Sequence, residues 1–307
     1  MSSSFAEDLQ LALDQRPRSI SPKYFYDEIG SALFEQICEL PEYYPTRTEL
    51  GLLQAHAAEM AECIGPQAQL LEYGAGALQK VRWLLDRLEA PHSFVPIDIS
   101  GAHLLSACGQ LQAAYPALQI NPLVADFSRP HSLPQGSGKG RRVGFFPGSS
   151  IGNFTPVEAL AFLEMAAFEL RGGGLLIGID LIKDPAILHA AYNDNAGVTA
   201  AFNLNLLARA RRELGADIAL DGFVHSAFYN SPLQRIEMHL LSLKQQRLRI
   251  ADRVYEIDAG ETLHTENSHK YSVVGFQNLA AQAGFSPGAS WTDPRDWFSL
   301  LWLQAPA

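Results

Sequence analysis

Cysteine is scarce in this chain: Cys38, Cys63 and Cys108 are the three present among 307 residues. An odd number without close spacing argues against a disulfide framework and against a structural zinc site. All three lie in apolar, helical-looking sequence and read as small buried hydrophobes. Basic residues are also few, 23 Lys and Arg against 33 Asp and Glu, a formal net charge of −10. A protein that grips nucleic-acid phosphates usually carries a basic patch. The densest basic stretch here, Lys139-Gly140-Arg141-Arg142, reads as a solvated loop before a strand. Nucleic acid is therefore not an expected partner. Long apolar runs are missing as well. Nothing approaches the roughly 18 residues of a membrane-spanning helix. The N-terminal segment lacks the apolar core of a signal peptide. The expectation is a cytoplasmic monomer that makes no membrane contact. No metal is expected either, because His264 and His269 fit no helical pair and no third ligand accompanies them.

The residues that are present suit a globular protein. Apolar residues make up 47% and charged residues 18%, enough for a sizeable core, and the length suits two domains or one with an insertion. The most informative stretch is Leu70 to Lys80. An apolar run meets Glu72, then Gly74-Ala75-Gly76, then a helical pattern. That is how a first parallel strand turns into a first helix. Glycine there lets a ligand approach the backbone, and helix-start amides point at it.

Alternation follows. Strands are expected over Gln69–Tyr73, Phe94–Ser100, Ile120–Phe127, Arg142–Pro147 and Leu175–Leu181. Helices are expected over Leu78–Leu88, Ala102–Ala114 and Pro156–Leu170, with a polar loop over Ser128–Gly140. Nearly continuous apolar strands alternating with helices predict a parallel sheet covered on both faces. Upstream, a helix over Phe5–Gln15 precedes an aromatic loop at Tyr24, Phe25 and Tyr26. A helix over Ala32–Leu40 precedes a second aromatic loop at Tyr43 and Tyr44. Thr46 is placed to cap the next helix, with Glu49 completing a capping box. After Asp180 the rhythm breaks. One largely helical stretch, Ala186–Leu214, leads into antiparallel signals at Ile236–Leu243, Leu248–Ile250, Val254–Ile257 and Thr262 onward. This reads as an inserted, mixed α/β substructure. A helix over Lys270–Ala283 and strands at Ser290–Trp291 and Trp297–Leu303 close the chain.

Two cofactor classes compete for the glycine loop. A dinucleotide site wants a third glycine, where this chain has Gln79, and an acid about 20 residues on. Asp98 suits the ribose of either NAD or S-adenosylmethionine. Asp126, followed by Phe127, stands where a carboxylate accepts an adenine amino group. Glu72 before the loop and the missing third glycine favour the sulfonium cofactor, which has no pyrophosphate to cradle.

Longer blocks carry a resemblance. They are Ser21-Pro22-Lys23-Tyr24-Phe25-Tyr26-Asp27, Leu40 to Arg47, Gly148-Ser149-Ser150-Ile151-Gly152-Asn153-Phe154, Asp180 to Asp184, Ala191 to Asp194 with Gly197 to Asn203, and Thr265-Glu266-Asn267-Ser268-His269-Lys270. In this order they resemble the histidine Nα-methyltransferases of ergothioneine biosynthesis across nearly the whole chain. The resemblance implies methylation of the α-amino group of L-histidine by S-adenosylmethionine, up to trimethylhistidine (hercynine). A relative acting on another amino acid or small amine is the alternative.

The resemblance also implies an α/β fold, with a Rossmann-like methyltransferase domain over 48–181 and 272–307. A smaller, mixed α/β substrate domain then spans 1–47 and 182–271. Carried over by position, Asn153 and Tyr192 hold the substrate carboxylate, Glu266 and Ser268 read the imidazole, and Met238 lines its pocket. Tyr26, Phe34 and Tyr43 surround the amino group, with Tyr26 or Tyr43 orienting its lone pair. Glu72, Gly74, Gly76, Lys80, Asp98, Asp126 and Phe127 contact the cofactor. Ala75 departs from the pattern, where a hydroxyl residue is expected between the glycines.

Overall fold

The computed structural model describes residues 5–133 and 140–307. Lys139 and residues 134–139 of the expected polar loop lie outside them. The chain divides into two units. The larger holds Pro45–Lys183 and His269–Ala307; the smaller holds the residues up to Tyr44 and Asp184–Ser268. The joins therefore fall at Tyr44/Pro45, Lys183/Asp184 and Ser268/His269, against expected joins at 47/48, 181/182 and 271/272. Among the described residues no helix is long and apolar enough to cross a membrane.

The larger unit is built on an eight-stranded sheet. Across it the strands run Ser286–Thr292, Phe298–Gln304, Gly174–Asp180, Arg142–Phe146, Gln69–Tyr73, Ser93–Asp98 and Gln119–Ile120, with Leu123–Val124 also paired to Ser93–Asp98. Gln69–Tyr73 is parallel to both of its neighbours. Phe298–Gln304 is antiparallel to both of its own. Successive residues feed two separate cores. Leu70, Phe145 and Leu300 enter one, and Leu71, Phe146 and Leu301 the other. Period-two alternation on a sheet covered on both faces makes these strands uniformly apolar.

Several local expectations need correction. The third strand is not continuous over Ile120–Phe127. It is two short pieces broken at Asn121 and Pro122, because Pro122 has no N–H for the ladder. The helix expected over Leu78–Leu88 shrinks to Val81–Leu85, after Leu78 adopts φ +56°. The helix after the second aromatic loop starts at Tyr44. Pro45 sits in its first turn, where a missing N–H costs nothing. Thr46 is thus inside the helix, and Glu49 forms no capping box with it. A capping box does form at Thr155 and Glu158.

The smaller unit contains a four-stranded sheet in the order Arg18–Ser19, Thr262–His269, Arg235–Ser242, Phe223–Asn230, and a hairpin of Gln246–Ile250 with Arg253–Ile257. Phe223–Asn230 escaped sequence reading. Its buried positions include Phe223 and Ala227, but Val224 and Phe228 are exposed, so the apolar alternation is scrambled. The expected Ala186–Leu214 helix is two, Pro185–Tyr192 and Val198–Leu214. Gly197 at φ +74° makes the break. Asp194 accepts from the N–H groups of Val198 and Thr199, both at 2.8 Å, at the start of the second helix.

Candidate active site

At the carboxyl ends of the parallel strands, the glycine loop is tied down by backbone and acid. Gly74 N and Ala75 N donate to the Ile97 carbonyl at 2.9 and 3.2 Å. Gly76 N donates to one oxygen of Asp98 at 3.0 Å, and Ser100 N to the other at 2.8 Å. Each Asp98 oxygen keeps lone-pair capacity for a hydroxyl. Gly74 lies at φ +67°, and a Cβ there would sit 3.3 Å from the Phe127 ring. A side chain at Gly74 is thus disfavoured by conformation, and the Phe127 ring would have to give by a few tenths of an ångström. Glu72 is buried inside its strand, and its Oε2 has no hydrogen-bond partner. Burial pushes its carboxyl well above the usual range. Lys80 opposes that shift, while Glu49 and Asp98 add to it. A buried carboxyl oxygen without a partner, beside Asp98 with lone pairs to spare and a glycine turn with open space at Gly76, fits a polar cofactor bearing ribose hydroxyls.

Two expected cofactor residues stand differently from the sequence reading. Asp126 does not end a strand. It lies two residues beyond Val124 in a turn, accepting from Ser128 N at 3.1 Å and from the Ser128 hydroxyl. Lys80 pairs with Glu49 at 2.6 Å. Glu49, missed by sequence reasoning, also accepts from Gly148 N at 2.9 and 3.0 Å. Gly178 makes room for it, since a Cβ there would lie 2.3 Å from Glu49 Oε1.

Asn153 belongs to the larger unit, in the turn Ser150–Asn153. This turn follows Ser149, which has φ +57° and accepts from Asp180 N at 2.9 Å. Asp180 is itself held by Lys270 at 2.8 Å and Lys183 at 2.5 Å. Burial opposes its ionisation, yet the two ammonium groups keep its carboxyl below the usual range. Burial pulls Lys183 down to about 8, against the attraction of Asp180.

The smaller unit brings the other substrate candidates together. Tyr26 meets Phe34 edge-on at 5.7 Å, Phe34 meets Tyr43 at 6.3 Å, and Tyr43 meets Tyr192 at 6.4 Å. Tyr192 donates to Ser268 Oγ at 2.7 Å. Phe202 backs this cluster, 5.8 Å from Tyr26 and 6.1 Å from Phe34. Sequence reading did not single Phe202 out, although it stands in one of the family blocks. Burial pushes the Tyr43 phenol well above its ordinary 10, and Tyr192, Cys38, Tyr26 and Glu266 are near enough to add to the shift. Tyr43 is therefore a neutral hydrogen-bonding group. Met238 is buried, and its carbonyl oxygen lies 3.0 Å from Thr265 Oγ1.

The match over residues 5–305 to the SAM-dependent, histidine-specific methyltransferase family model decides the assignment. This chain belongs to that family. Two relatives are similar along almost the whole length. The histidine N-alpha-methyltransferase of Mycolicibacterium smegmatis is 43% identical over 299 residues, and that of Mycobacterium tuberculosis 42% over 300. Each match covers 95% of this chain and 92% of the relative. Ergothioneine biosynthesis protein 1 of Neurospora crassa is 30% identical over 90% of this chain, and the match spans 32% of that longer protein. The methyltransferase is an enzyme of the S-adenosylmethionine-dependent class, acting on a small molecule.

One further cluster of the methyltransferase could hold a cation by composition. Glu237, His239 and His264 bring donor atoms within 4.8 Å of one another. Arg235 at 2.7 Å and Asn230 at 2.9 Å already occupy Glu237 Oε1, and His239 Nε2 lies 3.1 Å from Oε2. The His239 and His264 rings stack at 4.6 Å with 22° between planes. Their lone pairs lie in nearly parallel planes and do not converge. The cluster is an ion-paired patch: burial opposes it, but hydrogen bonds from Arg235, His239 and Asn230 hold the Glu237 carboxyl down to about 2.

Proposed function

We propose that this enzyme transfers methyl groups from S-adenosylmethionine to the α-amino nitrogen of L-histidine, successively to trimethylhistidine. The observation that carries the substrate reading is the continuous run Tyr26, Phe34, Tyr43, Tyr192, Ser268, in which aromatic rings meeting edge-on lead to a serine that accepts from a phenol. S-adenosylmethionine supplies the electrophilic methyl carbon. Asp98 would hold its ribose, with Glu72, Gly74, Gly76, Lys80, Asp126 and Phe127 around the remainder.

Methyl transfer needs a neutral amine with its lone pair in line, and a free α-amine is largely protonated at neutral pH. Tyr26 or Tyr43 accepts a hydrogen bond from the amine and so aims the lone pair. Alignment of this kind supplies several kcal/mol, about 7–11 in well-oriented intramolecular cases. A phenol with Tyr43's raised pKa orients the amine and does not act as its base. Glu266 accepts one imidazole N–H. Ser268, whose hydroxyl both donates and accepts, addresses the second ring nitrogen, while the Tyr192 phenol turns its single proton from Ser268 to the substrate carboxylate. Asn153 and Tyr192 bind the carboxylate, and Met238 lines the ring pocket. As methyls accumulate the product becomes a quaternary ammonium, which tyrosine and phenylalanine faces attract.

Incubation with S-adenosylmethionine and L-histidine, followed by mass spectrometry, tests this reading. Mono-, di- and trimethylhistidine are expected, and their absence refutes it. A competition series of amino acids separates histidine from other amines, since tryptophan, for example, has no second ring nitrogen for Ser268.

A further inference from the structure

A hydrogen-bonded chain lies behind Tyr192. His225 Nε2 is 2.9 Å from the Tyr192 carbonyl oxygen, and His225 Nδ1 is 2.9 Å from Asn203 Nδ2. The orientation of the Asn203 amide is set independently of His225. Its Nδ2 also lies 3.0 Å from the His239 carbonyl oxygen, and its Oδ1 accepts from Thr265 Oγ1 at 2.8 Å. A carbonyl only accepts and an amide nitrogen only donates. The two partners therefore assign the ring: Nε2 carries the proton and Nδ1 keeps its lone pair. Asn203 has no exposed surface. Through His225 it reaches Tyr192, and through Thr265 it reaches the strand that carries Met238, whose carbonyl lies 3.0 Å from Thr265 Oγ1.

We infer that His225, as the neutral Nε2–H tautomer, is a positioning residue that holds Tyr192 in the histidine pocket. This rests on the assignment of Tyr192 to that pocket. A second proton on Nδ1 meets the Asn203 N–H, and the bond between them is lost. The surroundings favour the neutral form. Asp194, whose carboxylate already accepts two N–H groups at the start of Val198–Leu214, attracts a proton to His225. Burial is the largest influence and prevails over both Asp194 and the hydrogen bond to the Tyr192 carbonyl, which also favours the charged ring, so His225 is held below its ordinary 6.5. Across the paired strand His225 faces Leu240, which is apolar. Because the folded ring resists protonation, Tyr192 is anchored at neutral pH and loosened as pH falls below 6.5.

Two variants and one spectrum test this. His225→Phe keeps a ring and loses both bonds. It is expected to raise KM for histidine about tenfold, as the loss of ordinary hydrogen bonds does, with S-adenosylmethionine affinity by calorimetry unchanged. His225→Gln keeps a donor and an acceptor but does not titrate. Its KM at pH 8 is expected near wild type, and the acid-side rise in KM is expected to be smaller than in wild type. The substrate's own imidazole titrates in the same range, so the difference between the two profiles is the readout. An unchanged KM in the Phe variant, or identical acid-side rises in the Gln variant and wild type, overturns the role. Nitrogen-15 NMR of the wild-type imidazoles without substrate reads the tautomer directly. A proton on Nδ1 of His225 at neutral pH overturns the proposal even if histidine proves not to be the substrate. Absence of histidine turnover by wild type, with the tautomer as assigned, refutes the substrate reading instead.

Discussion

Glu49 and Lys80 form an ion pair 2.6 Å long in which the carboxylate has no exposed surface and the ammonium is about one-fifth exposed. The same carboxylate takes the N–H of Gly148. One side chain from the Tyr44–Ile64 helix thus fixes both the lysine that follows the glycine loop and the loop after the Arg142–Phe146 strand. Both flank the edge where the cofactor is proposed to lie.

Glu49→Gln keeps an acceptor for Gly148 and removes the charge opposite Lys80. Removing one partner of a mostly buried pair costs more than the pair is worth. Stability is expected to fall by about 2 kcal/mol, measured by urea unfolding, and S-adenosylmethionine affinity is expected to weaken by calorimetry. Wild-type values for both would show that the pair organises nothing.

Lys183 gives a pH signature. Its folded value is near 8 against an ordinary 10.5, so between these the unfolded chain binds more protons. Stability relative to Lys183→Met is therefore expected to rise as pH increases from about 8 to 10.5, and to stay flat below. The span corresponds to about 3 kcal/mol as an upper figure. Parallel pH-dependent denaturation of the two proteins measures it, and a difference that declines over this window contradicts the buried-lysine reading.

Tyr43→Phe removes a neutral phenol, not a titrating base. A drop in kcat of about tenfold is expected, with every limb of the pH–rate profile in place, because burial keeps Tyr43 protonated through the working range. Loss of one limb in the variant would make Tyr43 a general base after all.

Glu266→Ala is expected to weaken histidine binding about 10- to 100-fold, the cost of a hydrogen bond to a charged group, and to leave S-adenosylmethionine binding intact. Separate titrations with each ligand measure this. Equal losses would mean that the change unsettles the fold and that Glu266 does not read the imidazole.

The sequence by itself determined the covered parallel sheet, because strands buried on both faces are apolar at every position, as Leu70, Leu71, Phe145 and Phe146 are. It also determined the glycine loop and the acid at the end of the second strand, since those depend on a few adjacent residues. Family membership was equally legible, carried by long blocks in order. The tertiary structure alone decided the partners. Glu49 read locally as half of a capping box, yet it bonds Gly148, 99 residues away. The Phe223–Asn230 strand hid behind exposed Val224 and Phe228. Nothing in spacing joins Tyr192 to Ser268, or His225 to Asn203. Periodicity reports which face of an element is buried, but a hydrogen bond between distant segments depends on where the whole chain places two atoms. That information exists only once the sheets are paired and the helices packed against them.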